Sequence, residues 1–224
     1  MFFEIMDEKR TACLRTLTAI PEIKDFYLAG GTALSLQLGL RESFDFDFFS
    51  QRRFNADAVC AAIRERFERV HVNHMDADTC DLLADDIRVS LMRYPYPLVA
   101  ALVRGQGDWE ALSLASIEDI AVMKLSAIGG RGARKDFYDL YQIYQRCPSL
   151  DSERLLLNAR QKFGEQANLN YMLMGLTFFD DAEAEALPRL FVDADWEAIK
   201  RFFVREQQRL FAIDEARFRS GSDK

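Results

Sequence analysis

The hydrophobic positions change their spacing about halfway along the chain. In the first half, helical spacing predicts helices at about 5–20 and from Asn55 as N-cap to about Val70, and short apolar runs predict strands at 25–29, 43–49 and 87–92. In the second half, the spacing is helical throughout and predicts helices at about 117–128, 133–144, 152–163, 165–178 and 194–212. The pattern therefore indicates an α+β protein, with an α/β core at 1–110 and a helical domain at 111–224 that completes a cleft.

Two aspartates alternate with three phenylalanines in the second predicted strand. Because successive side chains of a strand point to opposite faces, Phe44, Phe46 and Phe48 are expected to pack in the core. Asp45 and Asp47 then share the other face, with Cα atoms roughly 6.5–7 Å apart. Carboxylate oxygens at this spacing suit Mg²⁺. The alternative is a solvated face of an edge strand.

A double glycine follows the first predicted strand. Gly30 and Gly31 are expected to form a tight turn into a short helix from Ala33 to Leu40, with Thr32 capping the helix or donating its hydroxyl. Glycines allow close approach of a ligand, and the start of a helix attracts phosphate. The segment is neither a P-loop nor a G-x-G-x-x-G fingerprint. We expect its strand to pair with the aspartate strand, with the short helix crossing between them.

A third group of charged residues lies in the helical half. Lys124 falls beside an apolar helical stripe, so it is either a snorkelling lysine or a cation for a triphosphate. Arg131 and Arg134 lie at a glycine-rich break between two helices and are candidates for binding phosphates or an RNA end. Asp136 and Asp139 begin the next helix, where carboxylates also offset the helix dipole.

The charge, apolar runs and cysteine spacing of the chain disfavour several classes of protein. The net charge is −7 and the sequence pI is about 5.0, which does not favour a sequence-independent nucleic-acid coat. No apolar run approaches the ~20 residues of a transmembrane helix, and the first residues lack a signal-peptide pattern, so we expect a soluble, cytoplasmic protein. The four cysteines include no C-x-x-C pair and are expected to be free thiols. His71 and His74, followed by Asp76 and Asp78, could begin a zinc site on a helix, but this segment is more typical of a strand or loop.

Together these segments resemble a known family. The matching segments are Gly30-Gly31-Thr32-Ala33-Leu34, Asp45-Phe46-Asp47-Phe48-Phe49, Lys124 and the run from Arg134 to Leu140. They resemble the AbiEii/AbiGii-type nucleotidyltransferases, which have a DNA-polymerase-β-like fold and include toxins of type IV toxin–antitoxin and abortive-infection systems. The resemblance spans about residues 25–145.

The resemblance implies a mixed sheet with the site at one edge and a helical C-terminal part. It implies Mg²⁺ as cofactor, a nucleoside triphosphate as substrate, an acceptor hydroxyl with RNA as a candidate acceptor, and a cognate antitoxin as a candidate partner. It assigns phosphate binding to Gly30, Gly31 and Thr32, metal binding to Asp45 and Asp47, triphosphate contact to Lys124, and an orienting or polarising role to Asp136.

The chain departs from this pattern at one position. Enzymes of the polymerase-β type usually carry a third carboxylate on the strand after the aspartate pair, and Ser90 stands there in this sequence. Asp85 and Asp86 replace it only if the strand register differs, and Asp136 is the alternative general base. The predicted function is therefore Mg²⁺-dependent nucleotidyl transfer; the alternative is a catalytically weak or inactive member that binds nucleotide or a partner protein.

Overall fold

The computed structural model describes residues 1–164 and 168–219. The chain divides into two compact units, Met1–Ser116 and Ile117–Lys224. The hydrophobic pattern had placed the change of architecture near residue 110, and the assignment of separate domain roles stays a prediction. Within the described residues, no helix is long and apolar enough to cross a membrane.

The first unit contains helices and all of the described strands. Its α-helices are Glu8–Thr18 (α1), Gly30–Leu38 (α2) and Ala56–Arg64 (α3), and short 3₁₀ turns lie at Phe3–Ile5, Pro21–Ile23 and Gly107–Trp109. Its strands are Tyr27–Ala29 (β1), Phe46–Ser50 (β2), Val70–Met75 (β3), Thr79–Ala84 (β4), Ile87–Arg93 (β5), Val103–Arg104 (β6) and Ser113–Leu114 (β7).

The strands form one mixed sheet in the order β3-β4-β5-β2-β1-β7-β6. The predicted pairing of these two strands is observed: β1 pairs antiparallel with β2, and Ala29 lies opposite Asp47. β2 pairs parallel with β5, and β1 pairs parallel with β7. β4 pairs antiparallel with β3 and β5. The prediction of a mixed sheet is confirmed.

Local signals explain where the elements of this unit begin. The Asn55 side chain accepts a hydrogen bond from the Ala58 N–H at 3.1 Å, which confirms the predicted N-cap of α3. The Asp7 side chain caps α1 in the same way through the Arg10 N–H. α2 ends at Gly39, whose φ of 64° lies in the left-handed region.

The second unit is helical in its described part. Its helices are Ile117–Gly130 (α4), Arg134–Arg146 (α5), Ser152–Phe163 (α6), Leu169–Gly175 (α7), Asp180–Glu183 (α8) and Trp196–Asp214 (α9), and a π-helical turn follows at Glu215–Arg219. α4 packs against α5, α6 and α7. A fully buried ion pair joins α4 to α6, because Lys162 donates to Asp119 at 2.7 Å.

Several predicted boundaries were wrong. The first helix begins at Glu8 rather than near residue 5, and α3 ends at Arg64 rather than near Val70. The double glycine forms no separate turn, because α2 already begins at Gly30. The predicted helix at 165–178 is observed as α7 from Leu169, and its first three residues lie outside the described residues, as does the tail at 220–224.

Candidate active site

The aspartate pair lies at the beginning of β2. This strand begins at Phe46, so Asp47 is within the strand while Asp45 directly precedes it. Phe46 and Phe48 are buried as predicted. The prediction that Phe44 shares their core face was wrong, because its side chain is 53% exposed. The strand alternation does not extend back to Phe44, since the chain is still irregular there.

The segment before β2 is held by a buried arginine of α1. Arg10 donates to the Ser43 carbonyl at 2.8 Å, and its guanidinium lies 4.7 Å from the centre of the Phe44 ring. This cation–π contact gives the exposed aromatic ring a position outside the core. The approach of the chain to Asp45 is therefore fixed by α1 rather than by strand pairing.

Gly30 brings the start of α2 against the Asp47 carboxylate. A Cβ at residue 30 would lie 2.6 Å from Asp47 Oδ2, and the φ of Gly30 is +66°. Only glycine combines this backbone conformation with this close approach. The carboxylate therefore lies beside the positive end of the α2 dipole.

Gly31 and Thr32 complete the first turn of α2. A Cβ at Gly31 would lie 2.5 Å from Arg41 Nη2, so this glycine makes room for a buried guanidinium. Thr32 is buried, and its hydroxyl donates to the Asp45 carbonyl at 2.6 Å. The Thr32 hydroxyl thus fixes Asp45 to α2. Of the two roles expected for Thr32, it donates its hydroxyl and does not cap the helix. Phosphate binding by Gly30, Gly31 and Thr32 stays a prediction.

A third carboxylate lies in the same row of the sheet, on a strand that the sequence pattern had not revealed. Ser90 of β5 pairs with Asp47 on one side and with Asp81 of β4 on the other, so the three side chains share one face. The Ser90 hydroxyl lies 3.3 Å from Asp81 Oδ1 and donates to it. Ser90 therefore occupies the expected position of the third acid, and an acid stands one strand further along.

Arg88 binds this carboxylate with two hydrogen bonds. Its Nε and Nη2 donate to the two oxygens of Asp81 at 3.2 and 3.0 Å. These hydrogen bonds and the charge of Asp81 raise the pKa of Arg88, and the nearby charges of Asp45 and Asp47 raise it further. Arg88 is thus a basic residue beside the aspartate pair.

Asp85 and Asp86 are not substitutes for the third acid. Both have positive φ, 46° and 69°, and they join Ala84 to Ile87, which pair as the last residues of β4 and the first of β5. Positive φ at both central residues is what a type I′ hairpin turn requires, and Asp tolerates it. Ser90, rather than Asp85 or Asp86, therefore lies beside Asp47 on the neighbouring strand.

Lys124, Asp136 and Asp139 form a buried cluster in the second unit. Lys124 Nζ lies 2.7 Å from Asp136 Oδ1 and 2.6 Å from Asp139 Oδ2, and all three side chains are buried. The snorkelling alternative for Lys124 was therefore wrong. Arg131 adds a second cation, with its Nε 3.0 Å from Asp136 Oδ2. The two carboxylates balance the charges of these two basic residues.

The cluster determines the protonation of Asp136. Burial by itself would raise the pKa of this carboxyl, but the charge of Lys124 and the hydrogen bond and charge of Arg131 hold the pKa below its usual value. An acid with a lowered pKa is a weak proton acceptor. Asp136 is consequently better suited to orienting Lys124 than to acting as a general base.

Arg134 lies at the beginning of α5 and has partners within its own unit. Its guanidinium donates to the Glu185 carbonyl at 3.2 Å and lies 4.7 Å from the centre of the Trp196 ring. Its backbone N–H donates to the Glu185 carboxylate at 3.0 Å. The predicted phosphate contacts of Arg131 and Arg134 stay predictions.

The described residues fit a magnesium ion that binds together with a nucleotide. In residues 1–164 and 168–219, no three His, Cys, Asp or Glu side chains lie close enough to hold a metal ion by themselves. Mg²⁺ is commonly held by one or two carboxylates together with substrate phosphates and water. Asp45 and Asp47 would be the carboxylates of such a site. His74 is hydrogen-bonded to Asp76 at 3.0 Å, without the further ligands of a zinc site in the described residues.

Sequence reasoning missed Arg10, Arg41, Asp81 and Arg88. A signal for Asp81 was present, since Cys80, Leu82 and Ala84 alternate with polar or half-buried residues as a strand requires. The contacts of Arg10 and Arg41 depend on the irregular chain between α2 and β2, for which no local pattern exists.

Comparisons with known proteins identify the family of the chain. The family model described as "Nucleotidyl transferase AbiEii toxin, Type IV TA system" matches residues 12–219. Protein aq_aa25 of Aquifex aeolicus (strain VF5) is 32% identical over 205 residues, which cover 91% of this chain and 96% of that protein.

Two solved structures from Helicobacter pylori share the fold. JHP933 has a TM-score of 0.54 at 15% identity, with 98% of this chain and 97% of that chain covered. A structure described as a candidate nucleotidyltransferase has a TM-score of 0.55 at 17% identity, with 93% and 99% covered. The fold is accordingly a nucleotidyltransferase fold, with a mixed sheet followed by helices. Because the family model matches residues 12–219 of this chain and a relative is 32% identical to it, the chain belongs to the AbiEii nucleotidyltransferase toxin family.

Proposed function

We propose that the protein is a Mg²⁺-dependent nucleotidyltransferase that moves a nucleotidyl group from a nucleoside triphosphate to an acceptor hydroxyl. The observation that carries the proposal is the position of the Asp47 carboxylate against Gly30 at the start of α2. Asp45 is tied to the same turn through the hydroxyl of Thr32. A helix N-terminus for phosphate and two carboxylates for a cation are thus brought together by short local contacts.

The residues of the first unit would share the binding of the nucleotide. Asp45 and Asp47 would hold Mg²⁺, which when bound offsets negative charge on the phosphates and on the attacking oxygen. The backbone N–H groups of Gly31 and Thr32 would bind a phosphate at the helix N-terminus. The acceptor hydroxyl releases its proton to solvent and its oxygen forms a bond to the α-phosphorus. The bond between the α-phosphorus and the oxygen that bridges it to the β-phosphorus breaks, and pyrophosphate leaves.

The residues of the second unit are proposed to bind the triphosphate. Lys124 would contact it, with Asp136 and Asp139 holding the ammonium in position at 2.7 and 2.6 Å. Arg131 is 63% exposed at its side chain, which is compatible with an additional phosphate contact. The lowered pKa of Asp136 supports the orienting role rather than proton abstraction.

Family membership supports a biological setting for this activity. We propose that the protein acts in the cytoplasm as the toxin of a type IV toxin–antitoxin or abortive-infection system, with RNA as the acceptor and a cognate antitoxin as partner. The net charge of −7 implies that an RNA acceptor is recognised locally rather than by a basic coat.

A second candidate function rests on two observations. Ser90 occupies the expected position of the third acid, and Lys124 is charge-paired with two buried carboxylates. These features would suit a member that binds nucleotide or a partner protein with weak or no turnover.

Transfer of a labelled nucleotide tests these proposals. The protein is incubated with each α-labelled nucleoside triphosphate, Mg²⁺ and total RNA, beside Asp45→Asn/Asp47→Asn and the exposed control Asp25→Asn. We expect label transfer by the wild type and by the control, and a loss of at least 100-fold in the double variant. Nucleotide binding without transfer would favour the second function, and the absence of both would contradict the whole assignment.

A further inference from the structure

Arg88 has an open hydrogen-bonding edge beside the aspartate pair. Its bonds to Asp81 use Nε and Nη2, and Nη1 has no hydrogen-bond partner in the part of the chain that the structure describes. The side chain is 55% exposed, whereas Asp81 is 17% exposed. The guanidinium is therefore held at one edge by a half-buried acid and presents donors to solvent at the other.

The strand register places Arg88 beside the proposed nucleotide site. Val89 pairs with Phe46, so the preceding residues, Arg88 and Asp45, lie side by side at the start of the parallel pair. Ser90 and Arg88 lie on the same face, two residues apart on one strand. Arg88 is consequently next to both acids of the aspartate pair.

The arrangement differs from that of an ordinary surface ion pair. Asp81 accepts three hydrogen bonds, two from Arg88 and one from the buried Ser90 hydroxyl, so its carboxylate is fixed in the sheet. By contrast, the exposed pair of Arg69 and Asp86 has side chains that are 67% and 68% exposed. A guanidinium with a fixed orientation suits the planar recognition of a phosphate oxygen pair.

We propose that Arg88 binds a phosphate group of the nucleoside triphosphate through its free Nη1 edge, and that Asp81 and Ser90 are positioning residues for it. The inference rests on the proposed nucleotide site at Asp45 and Asp47. The proposal predicts opposite effects of Arg88 on two affinities, which a purely structural role of Arg88 would not produce. A positive charge beside two carboxylates opposes binding of a cation alone but favours binding of a nucleotide.

The test therefore measures two affinities in the full-length protein. Mn²⁺ alone probes the carboxylates, and a non-hydrolysable ATP analogue with Mg²⁺ probes the nucleotide site. For Arg88→Gln we expect nucleotide affinity to fall roughly tenfold or more, since a charge-assisted hydrogen bond is lost. Mn²⁺ affinity should rise a few fold at low salt, because the repelling charge is removed. Adenosine affinity should stay unchanged.

Further variants keep the result interpretable. Arg69→Gln is the matched control and should change neither affinity, because it removes an exposed Arg–Asp pair of the same unit. Arg88→Lys keeps the charge but loses the planar guanidinium, so it should weaken nucleotide binding and leave Mn²⁺ affinity at the wild-type value. This variant tests the proposal even if Arg88→Gln fails to fold. Asp81→Asn should weaken nucleotide binding, and Asp81→Glu should restore part of it.

The outcomes separate the inference from the proposed function. If the wild type binds neither Mn²⁺ nor the analogue, the nucleotide site itself is wrong. If the wild type binds both, and Arg88→Gln or Arg88→Lys binds the analogue as tightly as the wild type, Arg88 is only a surface ion pair and the inference is overturned. A parallel loss of both affinities in Arg88→Gln would also overturn it, because that result indicates a structural role.

Discussion

At the scale of single residues, the candidate site depends on the absence of a Cβ atom at Gly30 and Gly31. Gly30 makes room for the Asp47 carboxylate and Gly31 makes room for the Arg41 guanidinium. The double glycine thus brings the protein's own charged groups against the start of α2. This extends the usual explanation that glycines permit close approach of a ligand.

Replacement of Gly30 by alanine tests this role, with Gly107 as a matched control. Both glycines have positive φ, but a Cβ at Gly107 would meet no atom within 4 Å. Each alanine variant should lose about 1–2 kcal/mol of unfolding free energy from the left-handed backbone. Only Gly30→Ala should also weaken Mg²⁺–nucleotide binding, since it displaces Asp47. Urea unfolding and nucleotide titration measure the two effects, and equal binding by both variants would contradict the proposed role of Gly30.

At the scale of elements, buried ion pairs join helices of the second unit in addition to apolar packing. α4 is joined to α5 by Lys124 with Asp136 and Asp139, and to α6 by Asp119 with Lys162. Buried ion pairs gain little over apolar packing when complete, but removing one partner leaves a costly unpaired charge. These pairs therefore contribute more to the specificity of helix packing than to the free energy of unfolding.

The pH dependence of unfolding tests the link between α4 and α5. Because the folded pKa of Asp136 lies below its usual 3.8, its contribution is fully present above that value and is lost as pH falls through the folded pKa. Asp136→Asn should be destabilised by about 3 kcal/mol at pH 7, and its difference from the wild type should shrink below about pH 4. The exposed Asp193→Asn serves as control. If the difference in unfolding free energy between the wild type and Asp136→Asn stayed constant down to pH 2.5, the charge of Asp136 would not be its cause.

The sequence revealed the elements whose signals are local. The cap at Asn55, the strand at Ile87 and the helix at Ser152–Phe163 follow from side-chain chemistry and periodicity within a few residues. β6 and β7 have two residues each, too few for a local sequence signal. β7 forms by pairing with β1, and β6 forms by pairing with β7. Of the candidate site, the sequence indicated the aspartate pair and the double glycine, whereas Asp81 and Arg88 come near the pair only through pairing between strands.

At the scale of the whole molecule, each unit has its own buried core. The first contains Cys13, Cys60 and Cys80, all of them buried free thiols, while Cys147 of the second unit is only partly buried. Burial raises the pKa of both Cys13 and Cys80 to about 12, and it also raises the pKa of Cys147. The thiols therefore report on the integrity of the two cores.

Alkylation of the native protein should distinguish these thiols. Because the thiolate is the reactive form, at pH 8 iodoacetamide should modify Cys147 at least tenfold faster than Cys13 or Cys80. In urea all four should react at similar rates. Mass spectrometry of tryptic peptides after timed quenching measures the order. Early modification of Cys13 or Cys80 without denaturant would indicate that the first core opens readily.

The parallel pairing of β2 with β5 has a consequence for the newly made chain. Asp47 is synthesised more than 40 residues before its neighbour Ser90, and β1 finds its parallel partner only at Leu114. Contacts this distant in sequence form late, since a long loop must close before they stabilise anything. On the ribosome, the two acids therefore emerge without Arg88 and without a complete sheet around them. The part of the proposed nucleotide site that lies in the first unit would therefore assemble only after synthesis has passed that unit.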